Sequence, residues 1–358
     1  MKLFNMDLHI SVIADFKNLF PEFDITDWCM SGHSWVFNKG QAMPKHINPL
    51  TWVNIDETMI EQFQNEYDEF LKTFDGFICG HPNGFIPIFE KYGKPIIMIN
   101  SCRYDLPFCW SKNIKMLDSY NDCLRRLNEK GLLIAVSNNM ADKEYTRLGC
   151  GIETTHIPSL CAYTGIKYRP IKDTFLGWGN FSSHSLITPK SELGSPYSWS
   201  DISQFKGIIV IPYEISTMSM FEFFSGGMPL FFPSKEMMMK TFNVQFISAY
   251  WNPSIPTKFA PFLDKEKSLD LADFYQVFKS PNVYIFESYE HLIQLLEEFE
   301  WKDDVEILET YKTNIRNKWD NLLKPFVTKA STNPPPHSPL LQAPVVPPSA
   351  EGASTYSE

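Results

Sequence analysis

The chain has 358 residues, 44% hydrophobic and 15% aromatic, which excludes disorder for its bulk and provides material for two cores of ordinary size. A net charge of −10 excludes a generally basic surface of the kind that binds nucleic acid or anionic membrane. Seven cysteines stand at 29, 79, 102, 109, 123, 150 and 161 without a Cys-x-x-Cys pair, so neither a disulfide framework nor a zinc motif is expected. Asp7 and His9 interrupt the place where a signal peptide needs its apolar core, and no apolar run approaches the roughly eighteen residues of a membrane span. A cytoplasmic protein is the expectation.

Along the first half, short β-rich runs alternate with helical periodicity. Lys2 to Phe4 opens the chain, and His9 to Phe20 carries helical spacing. Phe23 to Trp28 reads as a strand, and Glu57 to Phe74 as an amphipathic helix with Met59, Phe63, Tyr67, Phe70 and Leu71 on one face. Strands follow at Gly76–Cys79 and Pro95–Ile99, with a helix between them over Phe85–Tyr92. A helix over Leu117–Lys130, a strand at Leu132–Val136, a helix over Met140–Leu148 and a strand at Thr154–Ile157 complete this half. Residues 164–205 read as mostly irregular, with a first strand of the second half at Thr174–Leu176. Then come strands at Gly207–Ile211, Leu230–Phe232 and Val283–Phe286, a helix over Tyr289–Phe299 and a long helix over Asp304–Phe326.

The alternation predicts an α/β protein of two Rossmann-like domains, residues 1–163 and 172–328, facing a cleft. Residues 329–358, rich in Pro and Ser, are expected to form a disordered tail, and seven of the 26 prolines lie beyond Ala330. In such folds ligands bind beyond the carboxyl ends of the strands, so the informative residues are those that follow strands.

The most informative stretch is 211–234. An apolar strand delivers Glu214 into a loop, and Ser216, Thr217 and Ser219 are suited to cap the helix that follows. The helix N-terminus offers free N–H groups to a phosphate. Glu222 lies eight residues after Glu214, then Gly226-Gly227-Met228-Pro229 ends the helix and starts the next strand. Glu222 also stands three residues after Ser219, the spacing of a capping box.

This pattern resembles the donor-binding motif of retaining GT-B glycosyltransferases, the superfamily of sucrose and glycogen synthases. Those enzymes carry two glutamates with seven residues between them and a Gly-x-Pro turn before a hydrophobic strand. The resemblance implies transfer of a sugar from a nucleotide-sugar to a glycan-type or other hydroxyl acceptor, with neither metal nor resident cofactor. It makes Glu214 the residue at the donor sugar and Glu222 the residue at the ribose. Backbone around Ser216, Thr217 and Met218 then approaches the sugar and diphosphate. Gly177, in the Gly-Trp-Gly after the first strand of the second domain, and Lys190 complete the donor set. Two departures stand out. Ile215-Ser216-Thr217 replaces a glycine-rich turn, and Lys190 and Lys206 are the only lysines or arginines between Thr174 and Glu214 to meet the diphosphate. Exostosin-like inverting families carry a related strand-loop-helix, so both stereochemical outcomes stay open, with retention slightly favoured.

In the first domain, His9, His33 and His81 each follow a strand, and histidine titrates where a general base for an acceptor hydroxyl must. His81 sits in a Gly-flanked loop after the clearest strand, and Asp7 can orient His9 or act as base itself. Arg103 and Asp105 follow the Pro95–Ile99 strand and suit acceptor hydroxyls or a donor phosphate, or form an ordinary surface ion pair. Asn138 and Asn139 are placed near the cleft, or are helix caps, and Trp178 either stacks on a ligand or plugs a domain seam. Two other readings remain: a non-catalytic nucleotide- or sugar-binding module, and a nucleotide-sugar epimerase on the same architecture.

Overall fold

A computed structural model describes residues 1–37, 39–181, 184–194, 196–241 and 265–332. The first domain runs β1 (Lys2–Asp7), α1 (Ile10–Leu19), β2 (Asp24–Cys29), α2 (Glu57–Leu71), β3 (Gly76–Cys79), β4 (Ile96–Asn100), α3 (Phe108–Ser111), α4 (Ile114–Glu129), β5 (Leu133–Ser137), α5 (Met140–Cys150) and β6 (Thr155–His156). The second runs β7 (Phe175–Trp178), β8 (Ile187–Pro189), α6 (Trp199–Ile202), β9 (Ile208–Val210), α7 (Met218–Ser225), β10 (Leu230–Pro233), α8 (Lys235–Thr241), α9 (Lys265–Asp270), α10 (Asp273–Gln276), β11 (Val283–Phe286) and α11 (Tyr289–Glu297). The last helix, α12, spans Val305–Thr332.

Every ladder pairing is parallel. The inner strands β3, β4, β5, β9 and β10 are buried along their whole length, as covered parallel sheets require, whereas the edge strands β2, β6 and β11 are partly exposed. The sheet orders are β2-β1-β3-β4-β5-β6 and β11-β10-β9-β7-β8. Each domain therefore starts at an inner strand, steps once to one side and then builds to the other. The reversal leaves a crevice at the carboxyl ends of β1 and β3 in the first sheet, and of β7 and β9 in the second.

The expected architecture, two α/β domains and a long terminal helix, is the one observed. Differences lie at the edges. Residues 164–205 are less irregular than expected: β8 pairs with β7 there, and a capping box between Ser198 and Asp201 starts α6. Phe85–Tyr92 is two 3-10 turns rather than an α-helix, because Pro87 lacks the N–H an α-helix needs. The turn closes at Gly93, whose φ of +62° suits glycine. The tail expected over 329–358 lies outside the described residues from 333 onward.

Helix α12 leaves the second domain and covers the first. Ile315, Trp319 and Leu323 join a core with Ile10, Ile13, Phe16 and Phe20 of α1 and its end. Trp319 meets Phe16 edge-on at 5.3 Å. Arg316 donates to the Leu19 carbonyl and pairs with Glu22 at 2.6 Å. No described helix is long and apolar enough to cross a membrane, and all seven thiols are free.

Candidate active site

Residues that directly follow strands build one cleft between the sheets. From the first domain come His9 after β1, His81 after β3, Ser101, Cys102 and Arg103 after β4, and Asn138, Asn139 and Asp142 after β5. The second domain contributes Tyr213 to Met218, the loop from β9 into α7. The cavity holds about 260 Å³.

His9 and His81 sit at the crevice of the first sheet, their rings edge to face with centroids 5.9 Å apart. The Nδ1 atom of each is buried without a hydrogen-bond partner. Burial pushes His9 down to about 4. Burial, then the neighbouring charges of His9 and Arg103, pushes His81 down to about 3. Both imidazoles are therefore neutral near pH 7, and their basicity lies below the near-neutral value expected of them from the sequence, because burial disfavours the imidazolium.

The β4 and β5 loops lock together beneath them. The Asp142 carboxylate accepts the Arg103 backbone N–H at 2.8 Å and the Asn139 carboxamide at 2.6 Å. Asn139 in turn caps α5 by accepting the Asp142 N–H at 2.7 Å. Burial raises Asp142 to about 6. Arg103 lines the cleft but is 1% exposed, and its charge sits among Cys102, Asp105, Cys109 and Tyr145.

Across the cleft, burial raises Glu214 to about 7, with Arg103 opposing and Asp142 adding. Thr217 is the N-cap of α7, in extended conformation and without a side-chain cap bond. The helix start lies at the cleft, which Thr217 and Met218 line, and no cap side chain takes up its first N–H groups. Asp273, at the start of α10, holds this loop from behind by donating its N–H to the Ile215 carbonyl at 3.0 Å.

Of the residues singled out from sequence, His9, His81, Arg103, Asn138, Asn139, Glu214, Ser216, Thr217 and Met218 line this cleft. Asp7 is fully buried at the end of β1, with neither carboxyl oxygen hydrogen-bonded. Asp105 is also buried and accepts the Tyr145 hydroxyl at 2.6 Å. His33 is exposed on the loop after β2 and does not line the cavity. Gly177 is buried within β7, where an added Cβ would strike the Phe181 ring. Lys190 lies over Trp178, 3.9 Å from its ring centroid. Glu222 turns away from the lining: its carboxylate accepts the Tyr163 hydroxyl at 2.5 Å, in a seam where Phe37, Tyr163 and Trp199 meet. It does not complete a capping box, since the N-cap is Thr217 rather than Ser219.

Sequence reasoning missed Ser101, Cys102, Asp142 and Tyr213. An Asn-Asn-x-x-Asp run directly after a strand was the available signal for Asp142. Among the described residues, no group of three or more His, Cys, Asp or Glu side chains is arranged to hold a metal.

No family model matches the chain, and no curated protein is similar to it. Solved structures that resemble it distantly include the glycotransferase of kitacinnamycin, with 10% identity and a TM-score of 0.40, covering 93% of this chain and 98% of that one. Another is the glycosyltransferase SnogD from Streptomyces nogalater, with 8% identity and a TM-score of 0.41, covering 92% and 98%. A third is the calicheamicin glycosyltransferase CalG4, with 8% identity and a TM-score of 0.35, covering 92% and 99%. Likeness at this distance leaves activity to be read from the cleft itself.

Proposed function

We propose that the protein is a glycosyltransferase that moves a sugar from a nucleotide-sugar donor to a hydroxyl group of a glycan-type acceptor. The observation that carries this reading is the division of labour across the cleft. One wall presents Glu214 and the open N-terminus of α7, and the other presents two neutral imidazoles and Arg103. An anionic diphosphate suits the helix end and the Arg103 charge. A hydroxyl nucleophile suits a neutral imidazole.

In the reaction, the acceptor oxygen attacks the anomeric carbon while its proton passes to His9 or His81. The bond from that carbon to the phosphate oxygen breaks, and its electrons leave with the diphosphate. Charge building on the leaving oxygen is met by the α7 amides and Arg103, which acts without reorganising because it is already fixed. Glu214 holds hydroxyls of the donor sugar. A histidine base beside the acceptor, with the Glu222 carboxylate engaged by Tyr163, supports inversion rather than retention at the anomeric carbon.

A thermal-shift screen with UDP, GDP, CMP and their sugars tests donor binding. At least one is expected to raise the melting temperature, and the absence of any shift overturns the reading. His9→Ala and His81→Ala are then compared in transfer assays. Loss of the base is expected to lower kcat by about 10²–10⁴-fold with nucleotide binding retained. Nucleotide binding with neither transfer nor donor hydrolysis would instead make this a binding module.

A further inference from the structure

Behind the second-domain wall of the cleft lies a carboxyl group that the reaction above leaves unused. Asp273, at the start of α10, is 1% exposed, and neither of its carboxyl oxygens has a hydrogen-bond partner among the described residues. Its backbone is tied to the loop that lines the cleft, through the N–H it donates to the Ile215 carbonyl at 3.0 Å. Its side chain lies beside Ser216, the next residue of that loop, and Ser216 lines the cavity itself. Ser216 stands two residues before Met218, where α7 begins, and the N-cap Thr217 gives no side-chain bond to the first N–H groups. The end of the cleft suited to a phosphate is therefore backed by a buried acid.

A buried carboxyl without a partner is unfavourable in either state, and far more so when ionised. Burial raises Asp273 well above the usual carboxylate range; the Ser216 hydroxyl opposes this and the charge of Asp142 on α5 adds to it. The Tyr311 phenol of α12, which also faces Asp273, is kept neutral by its own burial. Asp273 is therefore a neutral acid near pH 7, with one O–H to donate. That state matters to an anionic ligand. An ionised carboxylate would take the proton of Ser216 and set a negative charge behind the phosphate. A neutral acid donates to Ser216 Oγ instead, and leaves the hydroxyl proton to turn toward the cleft.

Resting on the transferase reading above, we infer that Asp273 is a positioning residue of the donor site, holding Ser216 from behind so that the Ser216 hydroxyl donates to a phosphate oxygen of the donor. The chain of bonds runs from the Asp273 O–H to Ser216 Oγ, and from the Ser216 O–H to the phosphate. Asp273 touches no reacting atom. Its backbone N–H fixes where the loop lies, and its side chain fixes which way the hydroxyl of Ser216 points.

The test is calorimetric titration of the full chain with UDP, GDP and CMP, using wild type, Asp273→Asn, Asp273→Ala, Ser216→Ala and the double alanine variant. For the nucleotide that binds wild type, each single alanine variant is expected to raise Kd about tenfold, equivalent to roughly 1.4 kcal/mol. The double variant should bind no more weakly than either single one, because both substitutions break the same chain of bonds. Asp273→Asn keeps a neutral donor, so its Kd should stay within about threefold of wild type. The inference is overturned if either alanine variant binds as wild type does, if Asp273→Asn binds as weakly as Ser216→Ala, or if the two alanine effects add. Ser216→Ala and Asp273→Asn decide the matter even where Asp273→Ala does not fold. A wild type that binds none of the three nucleotides overturns the transferase reading, and this inference with it.

Discussion

Asp15 shows how a single buried carboxyl can tie distant parts of the chain. From α1 it accepts the backbone N–H groups of Leu160 and Cys161 at 2.9 and 2.6 Å, just where the chain leaves the first domain. Burial raises it to about 7, against the pull of those two N–H groups. In the unfolded chain an aspartate titrates near 3.9. Between about pH 4 and pH 7 the folded state therefore binds a proton that the unfolded state has released, so stability falls as pH rises through that window and levels off above it. Asp15→Asn is expected to flatten this dependence, read as melting temperature from pH 4.5 to 8. Asp15→Ala strands two donors and should destabilise by about 2 kcal/mol in urea unfolding. The same scale explains what was legible in the site. His9, His81 and Glu214 immediately follow strands, and strand ends fix where the next few residues point. Glu222 lies about one turn into a helix, where a shift of one residue decides between cleft and seam, and periodicity does not resolve that. Asp142 was hidden because its direction depends on the Asn139 cap, a bond that no spacing rule names.

At the level of elements, long buried strands and amphipathic helices were readable to within a few residues, since parallel strands covered on both faces are uniformly apolar. Gly76–Cys79 and Val283–Phe286 coincide with their expected ranges. Strand β8 was missed because Ile187–Pro189 is three residues long, lies at a sheet edge and ends on a proline, leaving no pattern to count. The terminal helix was expected, but its destination was not, since an apolar stripe does not say which surface covers it. Trp319 is 4% exposed and packs against Phe16 and Phe20. Trp319→Ala should cost about 3–5 kcal/mol through the cavity it leaves, measured by denaturant unfolding. A loss below 1 kcal/mol would show that α12 contributes little to holding the first domain.

At the level of the molecule, the first domain is completed by residues from the far end of the chain. A fragment of residues 1–163 lacks α12 and would expose Ile10, Phe16 and Phe20 to water. It is expected to bind a hydrophobic dye and unfold without a sharp transition, and a peptide of residues 305–326 added in trans should restore cooperativity. A well-folded fragment would overturn this. The chain thus passes between the two domains twice, once after Cys161 and once along α12. Between those crossings Glu222 accepts from Tyr163, Ser225 donates to the Leu160 carbonyl and Tyr311 donates to the Ser159 carbonyl, so the two sheets are tied along a seam rather than at a single linker. The opposition of His9 and Glu214 across the cleft is therefore set by parts of the chain far apart in sequence, and a change at either crossing would shift one wall against the other.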